Sequence, residues 1–267
     1  MTEQEFAELQ AGFDAFHTAR ARTSLVADLY AEAAGDLYPV EVAPNSSCDW
    51  PLLGAMVARL RLAPGQLLAD VGCGTGGVGL WLARALAVRL VGVDISPVAV
   101  QLAITRSPAF VTDGQAAFRT GTLASTGLAD QHVHGVVCVD ALSCAPDRAA
   151  ALHEMYRILA PGGRAIITRA ARRDAHTLLT RHEEAAGFTV EHIVERAGEP
   201  AVWARLYRLW IAREADLRRE LGDVQAERML AEASRVLPRL AGRRAVVLTL
   251  RRPAVTTAAA GTLPEPA

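Results

Sequence analysis

Two carboxylates and a cluster of glycines stand where strand-like runs end, and this combination predicts a nucleotide cofactor. Asp70 lies near the end of the apolar run at residues 67–71, and glycines follow at 72, 74 and 77 before a helical pattern begins. A strand that turns through glycines into a helix lets a nucleotide approach bare backbone. Asp94 ends the next apolar run, at a position from which a carboxylate accepts hydrogen bonds from ribose hydroxyls.

Asp70 distinguishes between the cofactors that such a turn can hold. The spacing Gly-x-Gly-x-x-Gly by itself is typical of NAD or FAD sites. A fixed carboxylate two residues before Gly72 would face the pyrophosphate of a dinucleotide, and like charges at close range in a partly buried site cost on the order of several kcal/mol. S-adenosylmethionine has no phosphate and carries ammonium and sulfonium groups, so Asp70 favours this cofactor.

Four ordered motifs resemble those of the class I S-adenosylmethionine-dependent methyltransferases. They are Asp70-Val-Gly-Cys-Gly-Thr-Gly, Gly92-Val-Asp94-Ile-Ser, Gly121-Thr-Leu and Leu159-Ala-Pro-Gly-Gly163. The resemblance covers roughly residues 60 to 170 and is closest to the small-molecule enzymes of quinone and secondary-metabolite pathways. It implies an α/β fold with a doubly wound, Rossmann-like, seven-stranded sheet. It also implies methyl transfer to an O, N or C atom of a small organic molecule.

The same resemblance assigns cofactor contacts. The glycine turn would lie along the methionine and ribose, Asp70 would support the turn and the amino group, and Asp94 would bind the ribose. Thr122 and Leu123 stand where the family usually places an acidic residue near the adenine amino group, and Ile95 would pack on adenine. Two further contacts are expected from the connector before the core, residues 35–51. The complete set of expected cofactor contacts is Asp70, Gly72, Cys73, Gly74, Gly76, Asp94, Ile95, Thr122, Leu123, Asp140, Ser47 and Trp50. For the two connector residues, a packed turn is an equally good interpretation.

Methyl transfer to oxygen needs a group that removes a proton, and the sequence offers three candidates. Many relatives carry a histidine after the fourth strand, whereas this chain has Asp140-Ala-Leu-Ser143-Cys144 there. Asp140 follows the central strand, at the crevice where open α/β sheets bind ligands, so it is the first candidate for catalysis or substrate orientation. His17 and His176 have side chains suited to base catalysis near neutral pH, although a surface or packing role explains each of them as well.

Two groups of residues are candidates for substrate contacts. Ser143 and Cys144 would form the floor of a pocket beneath the methyl group. Trp203, Tyr207 and Trp210 recur at i, i+4 and i+7, which places them on one face of a helix. Such an aromatic face suits a flat or polycyclic substrate, and it is equally typical of a buried core.

Apolar periodicity divides the chain into five parts. We predict an N-terminal helical cap with a cofactor-covering connector at residues 1–51, a Rossmann-like core at 52–200, a helical insertion over the substrate at 201–242, a last strand at 243–252 and a disordered tail at 253–267. Alternating strand and helix patterns in the core indicate a parallel sheet with helices on both faces. The predicted strands span residues 67–71, 89–93, 116–120, 133–139, 164–168, 188–195 and 245–250, and the predicted core helices span residues 76–87, 97–106, 147–159 and 174–186.

The composition argues against several other functions. All 28 residues counted as Lys+Arg are arginine, so no lysine exists for a Schiff base or a P-loop. The net charge of -1 provides no field for nucleic acid or an anionic membrane, and the four cysteines include no CxxC pair that would indicate zinc. We therefore expect a small-molecule substrate, no metal, no nucleic-acid or membrane partner and, without an export signal, a cytoplasmic location. A homodimer is compatible with the sequence.

Three alternatives compete with methyl transfer. A methyltransferase-like cyclase or pericyclase would bind S-adenosylmethionine without transferring its methyl group. A non-catalytic partner subunit would bind the cofactor tightly and turn nothing over. An NAD-dependent dehydrogenase is opposed by Asp70, and its short-chain type would need a Tyr-x-x-x-Lys pair that a lysine-free chain does not contain.

Overall fold

One mixed β-sheet forms the centre of the computed structural model, which describes residues 2–172 and 180–254. Its seven strands are β1 Leu67–Val71, β2 Arg89–Asp94, β3 Ala116–Thr120, β4 Val133–Cys138, β5 Leu159–Arg172, β6 Thr189–Glu195 and β7 Arg243–Arg251. The predicted strands lie within one residue of these bounds at β1 to β4 and at β6. β5 begins five residues earlier than predicted, because it also includes the Pro-Gly-Gly segment that the sequence suggests as a turn.

The strands lie in the order β3-β2-β1-β4-β5-β7-β6, which confirms the predicted doubly wound, seven-stranded sheet. β1 pairs in parallel with both β2 and β4. The strand order therefore reverses beside β1, and open α/β sheets bind ligands at the carboxyl ends of the strands around such a point. β7, for which the sequence predicts no direction, runs antiparallel to both β5 and β6. A strand buried on both faces has the same apolar pattern in either direction, so its sequence does not define its orientation.

Short helices cover both faces of the sheet. They are α3 Trp50–Leu60, α4 Gly77–Leu86, α5 Pro97–Arg106, α6 Arg148–Ile158 and α7 Arg181–Ala185. Side-chain caps fix the starts of three of them, because each cap satisfies a backbone N–H that has no partner within the helix. Of the helix predicted at residues 174–186, the structure has Arg181–Ala185 as helix, and the first six predicted residues, 174–179, lie outside the described ranges.

A second helical layer covers the carboxyl edge of the sheet. It combines α1 Glu3–Arg20 and α2 Leu25–Ala34 from the N-terminus with α8 Glu199–Ala212, α9 Glu214–Leu221 and α10 Asp223–Val236. These helices share one buried apolar cluster, which we call the cap cluster, and two other clusters pack on the two faces of the sheet. The insertion begins two residues before the predicted position 201. The predicted tail at residues 253–267 lies outside the described residues except for its first two positions. Within the described parts of the chain, no helix combines the length and apolar character needed to cross a membrane.

Candidate cofactor and substrate cavity

A cavity of about 850 Å³ lies between the carboxyl edge of the sheet and the helical layer. Its lower wall consists of the segments that follow β1, β2, β3 and β4. Its upper wall consists of α1, the connector and the insertion. The glycine turn and the aromatic side chains of the insertion both line this cavity, and its volume has room for a cofactor and a second small molecule.

The glycine turn after β1 is held by hydrogen bonds from its own backbone. The N–H groups of Gly72 and Cys73 donate to the Val93 carbonyl at 2.8 and 3.1 Å. Gly72 has φ of 79°, and a Cβ at this position would lie 2.3 Å from Cβ of Ala141. Only glycine fits both the backbone conformation and the space.

Two of the predicted cofactor contacts in this turn have different surroundings. Gly74 lines the cavity, with φ of 51°. Gly76 is not among the described residues that line it, because this glycine faces α5 and β3: a Cβ there would lie 2.9 Å from Cβ of Ala103 and 3.0 Å from the ring of Phe118. We therefore assign Gly76 to packing beneath the turn. Cys73 is buried, and burial raises the pKa of its thiol, which stays protonated.

Asp70 is a buried carboxylic acid at the base of the turn. One of its oxygens accepts a hydrogen bond from the Gly79 N–H at 3.0 Å, and a Cβ on Gly79 would come within 2.7 Å of the same oxygen. Burial raises the pKa of Asp70 to about 7, against the opposing effect of the Gly79 hydrogen bond, and the neighbouring charge of Asp94 raises it further. The side chain lines the cavity, so its ionisation responds to a charge placed there.

Asp94 links the end of β2 to the glycine turn. Its two oxygens accept hydrogen bonds from the N–H groups of Gly74, at 2.8 Å, and Ser96, at 3.0 Å. These bonds fix the carboxylate at the cavity wall. Ile95 follows it along the same wall, and its carbonyl accepts a hydrogen bond from the Gln10 side chain of α1 at 2.9 Å. The end of β2 is therefore the place where the cap is attached to the core.

Thr122 and Leu123 line the cavity beyond β3. The backbone of Thr122 exchanges hydrogen bonds with Ser125 at 3.0 and 3.2 Å, which folds this segment into a tight turn. No acidic side chain lies at these two positions, as the sequence indicates. A contact to an adenine amino group from here would therefore come from the Thr122 hydroxyl or from backbone oxygens.

Asp140 occupies the left-handed region of backbone space, with φ of 57°. For a residue with a side chain this conformation costs on the order of 1–2 kcal/mol. The carboxylate accepts hydrogen bonds from the Ser47 N–H at 2.6 Å and from the Thr168 hydroxyl at 2.7 Å. Both carboxylate oxygens therefore accept hydrogen bonds from the protein, and Asp140 holds the connector against the end of β4.

Arg196 fastens the connector from the other side. Its guanidinium donates to the Ser47 hydroxyl at 2.8 Å and forms an ion pair with Asp49 at 2.8 Å. Further along the connector, Arg106 of α5 donates to the Val42 carbonyl at 2.9 Å. Sequence reasoning missed both arginines. Each is a single residue far along the chain from its partner, so no local pattern indicates the contact.

The two predicted connector contacts lie outside the main cavity. Ser47 lines a separate, small cavity of about 30 Å³. Trp50 is 38% exposed, and its ring packs against Trp81 with centroids 5.7 Å apart. Neither is among the described residues of the 850 Å³ cavity. The residues of the connector that do reach it are Val42, Ala43, Pro44, Asn45 and Ser46.

His17 projects from α1 towards the glycine turn. The residue is 7% exposed, and it lies so close to Gly74 that a Cβ there would be 3.6 Å from its Cε1. Its Nδ1 atom is buried and has no hydrogen-bond partner among the residues that the structure describes. Burial lowers the pKa of His17, although the charges of Asp94 and Asp14 act in the opposite direction. The imidazole is therefore neutral near pH 7 and has a free ring nitrogen. His176, the other predicted histidine, lies outside the described residues.

Ser143 and Cys144 line the cavity directly after β4. The Ser143 hydroxyl donates to the carbonyl of Asp140 at 3.0 Å. Desolvation raises the pKa of Cys144, so its thiol stays protonated and is a poor base. Both residues line the cavity, and their predicted place beneath a methyl group stays a prediction.

The predicted aromatic face belongs both to the cavity wall and to the cap cluster. Trp203, Tyr207 and Trp210 line the cavity, and Tyr207 and Trp210 are each 2% exposed. Their rings meet Tyr30 of α2, with centroid distances of 6.0 Å to Trp203 and 6.4 Å to Trp210. The same three side chains therefore line the cavity and pack in or against the cap cluster. Within the described residues, no cluster suited to a metal ion is present.

The part of the chain that carries the glycine turn and the neighbouring strands is similar in sequence to methyltransferases. Residues 69–167 match the family model of the methyltransferase domain. An O-methyltransferase of Pyrenophora dematioidea is 33% identical over 106 residues, which are 40% of this chain and 40% of that protein. The match therefore spans about two fifths of the length of such curated relatives.

Solved structures extend the likeness of the fold to most of the chain. The 4+2 cyclase SpnF superposes with a TM-score of 0.70 at 21% identity, over 86% of this chain and 93% of that one. A methyltransferase from Thiobacillus denitrificans, solved with S-adenosylhomocysteine, has a TM-score of 0.58 at 22% identity, over 84% of this chain and 96% of that one. The helical layer around the cavity is thus part of a fold found in other proteins.

Proposed function

We propose that this protein transfers a methyl group from S-adenosylmethionine to a small organic molecule bound in the same cavity. One observation carries the proposal. Two carboxylates, Asp70 and Asp94, lie beside the glycine turn on the wall of a cavity that Trp203, Tyr207 and Trp210 also line. Acidic groups suit a cofactor that is cationic at its ammonium and sulfonium groups, and aromatic groups suit an apolar acceptor.

The residues beside the glycine turn fit this cofactor. Gly74 presents backbone without a Cβ to the cavity, and Asp94 is fixed there by two backbone hydrogen bonds. We propose that Asp94 binds the ribose, that Ile95, Thr122 and Leu123 surround the adenine, and that Asp70 faces the ammonium end. When bound, the cofactor supplies an activated methyl carbon.

The protein itself would position the acceptor, exclude water and accept a proton. Of the three candidates for proton removal, we propose His17. It is neutral, it lines the cavity next to Gly74 and its Nδ1 has no partner within the described ranges. Asp140 is occupied by Ser47 and Thr168, so we assign it the positioning of the connector. We further propose that residues 1–51 and 201–242 together cover the bound molecules.

A direct test combines binding with product analysis. Isothermal calorimetry should detect S-adenosylhomocysteine, which has the same ribose and amino-acid groups, and should detect no heat with NADH. Incubation of the protein with S-adenosylmethionine and a metabolite extract should then produce ions heavier by one CH2. Asp94→Asn is the matched variant for the cofactor site and should weaken both signals. Binding of NADH in preference to S-adenosylhomocysteine would refute the proposal.

Cyclisation is the second candidate. Two observations favour it. The segment directly after β4, residues 139–147, contains no histidine. Both Asp140 oxygens already accept hydrogen bonds from the protein, so neither is free to remove a proton from a substrate. Methyl transfer has the stronger support, because the sequence relatives that are more than 30% identical over the core are methyltransferases. The two reactions differ in product mass: a cyclase rearranges its substrate without adding CH2.

A further inference from the structure

Arg20 differs from the other arginines that line the cavity. Arg243 is paired with Glu199 at 2.9 Å and Arg169 with Glu183, while Arg148 is exposed at the start of α6. Arg20 is partly buried at the last turn of α1, and within the described ranges its enclosed Nε and Nη1 atoms have no hydrogen-bond partner. Buried donors of a guanidinium that lack an acceptor are unfavourable, so this site lacks a hydrogen-bond acceptor for Arg20 among the described residues.

The surroundings hold the guanidinium in place. Its carbon atom lies 3.5 Å from the centroid of the Phe16 ring, a close cation–π contact. Tyr30 stands next to it on the cavity wall. Burial lowers the pKa of Arg20 to about 10, so the group still carries its charge near neutral pH. A cation that the aromatic wall already holds in one conformation loses little side-chain entropy when an anion binds, so it favours anion binding.

Charge is distributed unevenly along the cavity. The carboxylates that we assign to the cofactor site lie at the glycine turn, whereas Arg20 and Tyr30 lie towards the aromatic face of the insertion. Glu232 is the acidic neighbour of Arg20 in this part, and one of its oxygens accepts a hydrogen bond from the Tyr207 hydroxyl at 2.8 Å. It does not satisfy the two enclosed nitrogens of Arg20.

We propose that Arg20, Phe16 and Tyr30 form a subsite for an anionic oxygen, a carboxylate or an ionised enol or phenol, on an otherwise flat and apolar molecule. The inference rests on the proposed function, since it names the class of methyl acceptor as an aromatic or polycyclic organic anion. The anionic group would bind at Arg20, and the apolar body would lie along Trp203, Tyr207 and Trp210.

The test uses a pair of probes that differ in charge and little in shape, 2-naphthoate and 2-naphthamide. Calorimetry or ligand-observed NMR on the full chain should give a dissociation constant about tenfold lower for naphthoate, the effect of one charge-assisted hydrogen bond. In Arg20→Met this preference should vanish through a loss of naphthoate affinity, with naphthamide unchanged. Arg22→Met makes the same change at an exposed position two residues away and should keep the preference. Equal affinities for the two probes in the unmodified protein would overturn the subsite, as would a preference that survives in Arg20→Met.

Two further measurements separate this inference from the proposed function. S-adenosylhomocysteine binding, measured on the same samples, reports on the cofactor site alone: if it is absent while the naphthoate preference holds, the proposed function fails and the anion subsite stands. If it is present without the preference, the subsite fails. Thermal melting checks the fold of Arg20→Met, which should melt close to the unmodified protein because the two enclosed donors that it removes have no acceptor among the described residues. A large drop would show that Arg20 is satisfied within the protein and would also overturn the subsite.

Discussion

At the scale of single residues, the buried Asp70 couples cofactor binding to pH. With a pKa of about 7, the side chain is mostly protonated one pH unit lower, and a cationic ligand favours its ionised form. Binding should therefore release a proton below about pH 7 and release none well above it.

We predict that the affinity for S-adenosylhomocysteine falls as pH is lowered through about 7, by up to about tenfold per pH unit. Calorimetry in two buffers with different protonation enthalpies measures both the affinity and the released proton. Asp70→Asn keeps the size of the side chain and removes its titration, so its affinity should not change over the same range. A pH-independent affinity without proton release in the unmodified protein would contradict the role assigned to Asp70.

The two glycines of the turn provide a matched pair for stability. A Cβ at position 72 would lie 2.3 Å from Cβ of Ala141, and the backbone φ of 79° adds strain. A Cβ at position 74 would have its nearest neighbour, Cε1 of His17, at 3.6 Å, so only the strain of a φ of 51° remains. We expect Gly72→Ala to lower the free energy of unfolding by about 2–5 kcal/mol, the sum of overpacking and strain, and Gly74→Ala by about 1–2 kcal/mol. Urea denaturation measures both. Equal losses would show that Ala141 moves away at little cost.

At the scale of elements, the connector is held closed by contacts from opposite sides. Asp140 accepts from the backbone of Ser47, and Arg196 binds both Ser47 and Asp49. The side chain of Arg196 is only 11% exposed, so its ion pair is shielded from solvent and is worth more than a surface pair. The same connector carries a second, peripheral pair between Arg84 and Glu41, whose side chains are 41% and 44% exposed.

We predict that Arg196→Met weakens S-adenosylhomocysteine binding by about tenfold, the effect of losing on the order of 1.4 kcal/mol of connector closure. Arg84→Met makes the same substitution in the exposed ion pair with Glu41 and should change the affinity less than about twofold. Hydrogen exchange should increase at residues 44–49 in the first variant only. If both variants bind equally well, the connector does not contribute to the closed cavity through Arg196.

The elements that the sequence predicts well are those whose signal is local. β1 and β3 have the predicted bounds, because each is a short run between turn-forming residues, and the glycine turn follows from its own spacing. The orientation of β7 and the contact between Ser47 and Arg196 arise only when distant segments fold together. Trp50 illustrates the same limit. Its ring packs against Trp81 of α4, a contact between two helices that no local pattern indicates.

At the scale of the whole molecule, the cap and the sheet have separate apolar cores. The cap cluster joins residues from both ends of the chain, α1 and α2 with α8, α9 and α10, while the sheet has its own clusters on its two faces. Elements that share few buried contacts with the rest of a protein can open without global unfolding. A substrate must reach the cavity between these two parts, so we infer that the cap opens as a unit.

A pair of cavity-forming substitutions tests this separation. Leu217 of α9 and Leu68 of β1 are both fully buried, the first in the cap cluster and the second beneath the sheet. Each change to alanine should cost about 2–5 kcal/mol in its own core. Leu217→Ala should therefore speed hydrogen exchange in α1, α2 and α8 to α10 and leave exchange in β1 and β4 unchanged, whereas Leu68→Ala should speed exchange throughout. If Leu217→Ala accelerated exchange equally in the sheet, the cap and the core would unfold together, and entry to the cavity would need a smaller movement, such as that of the connector alone.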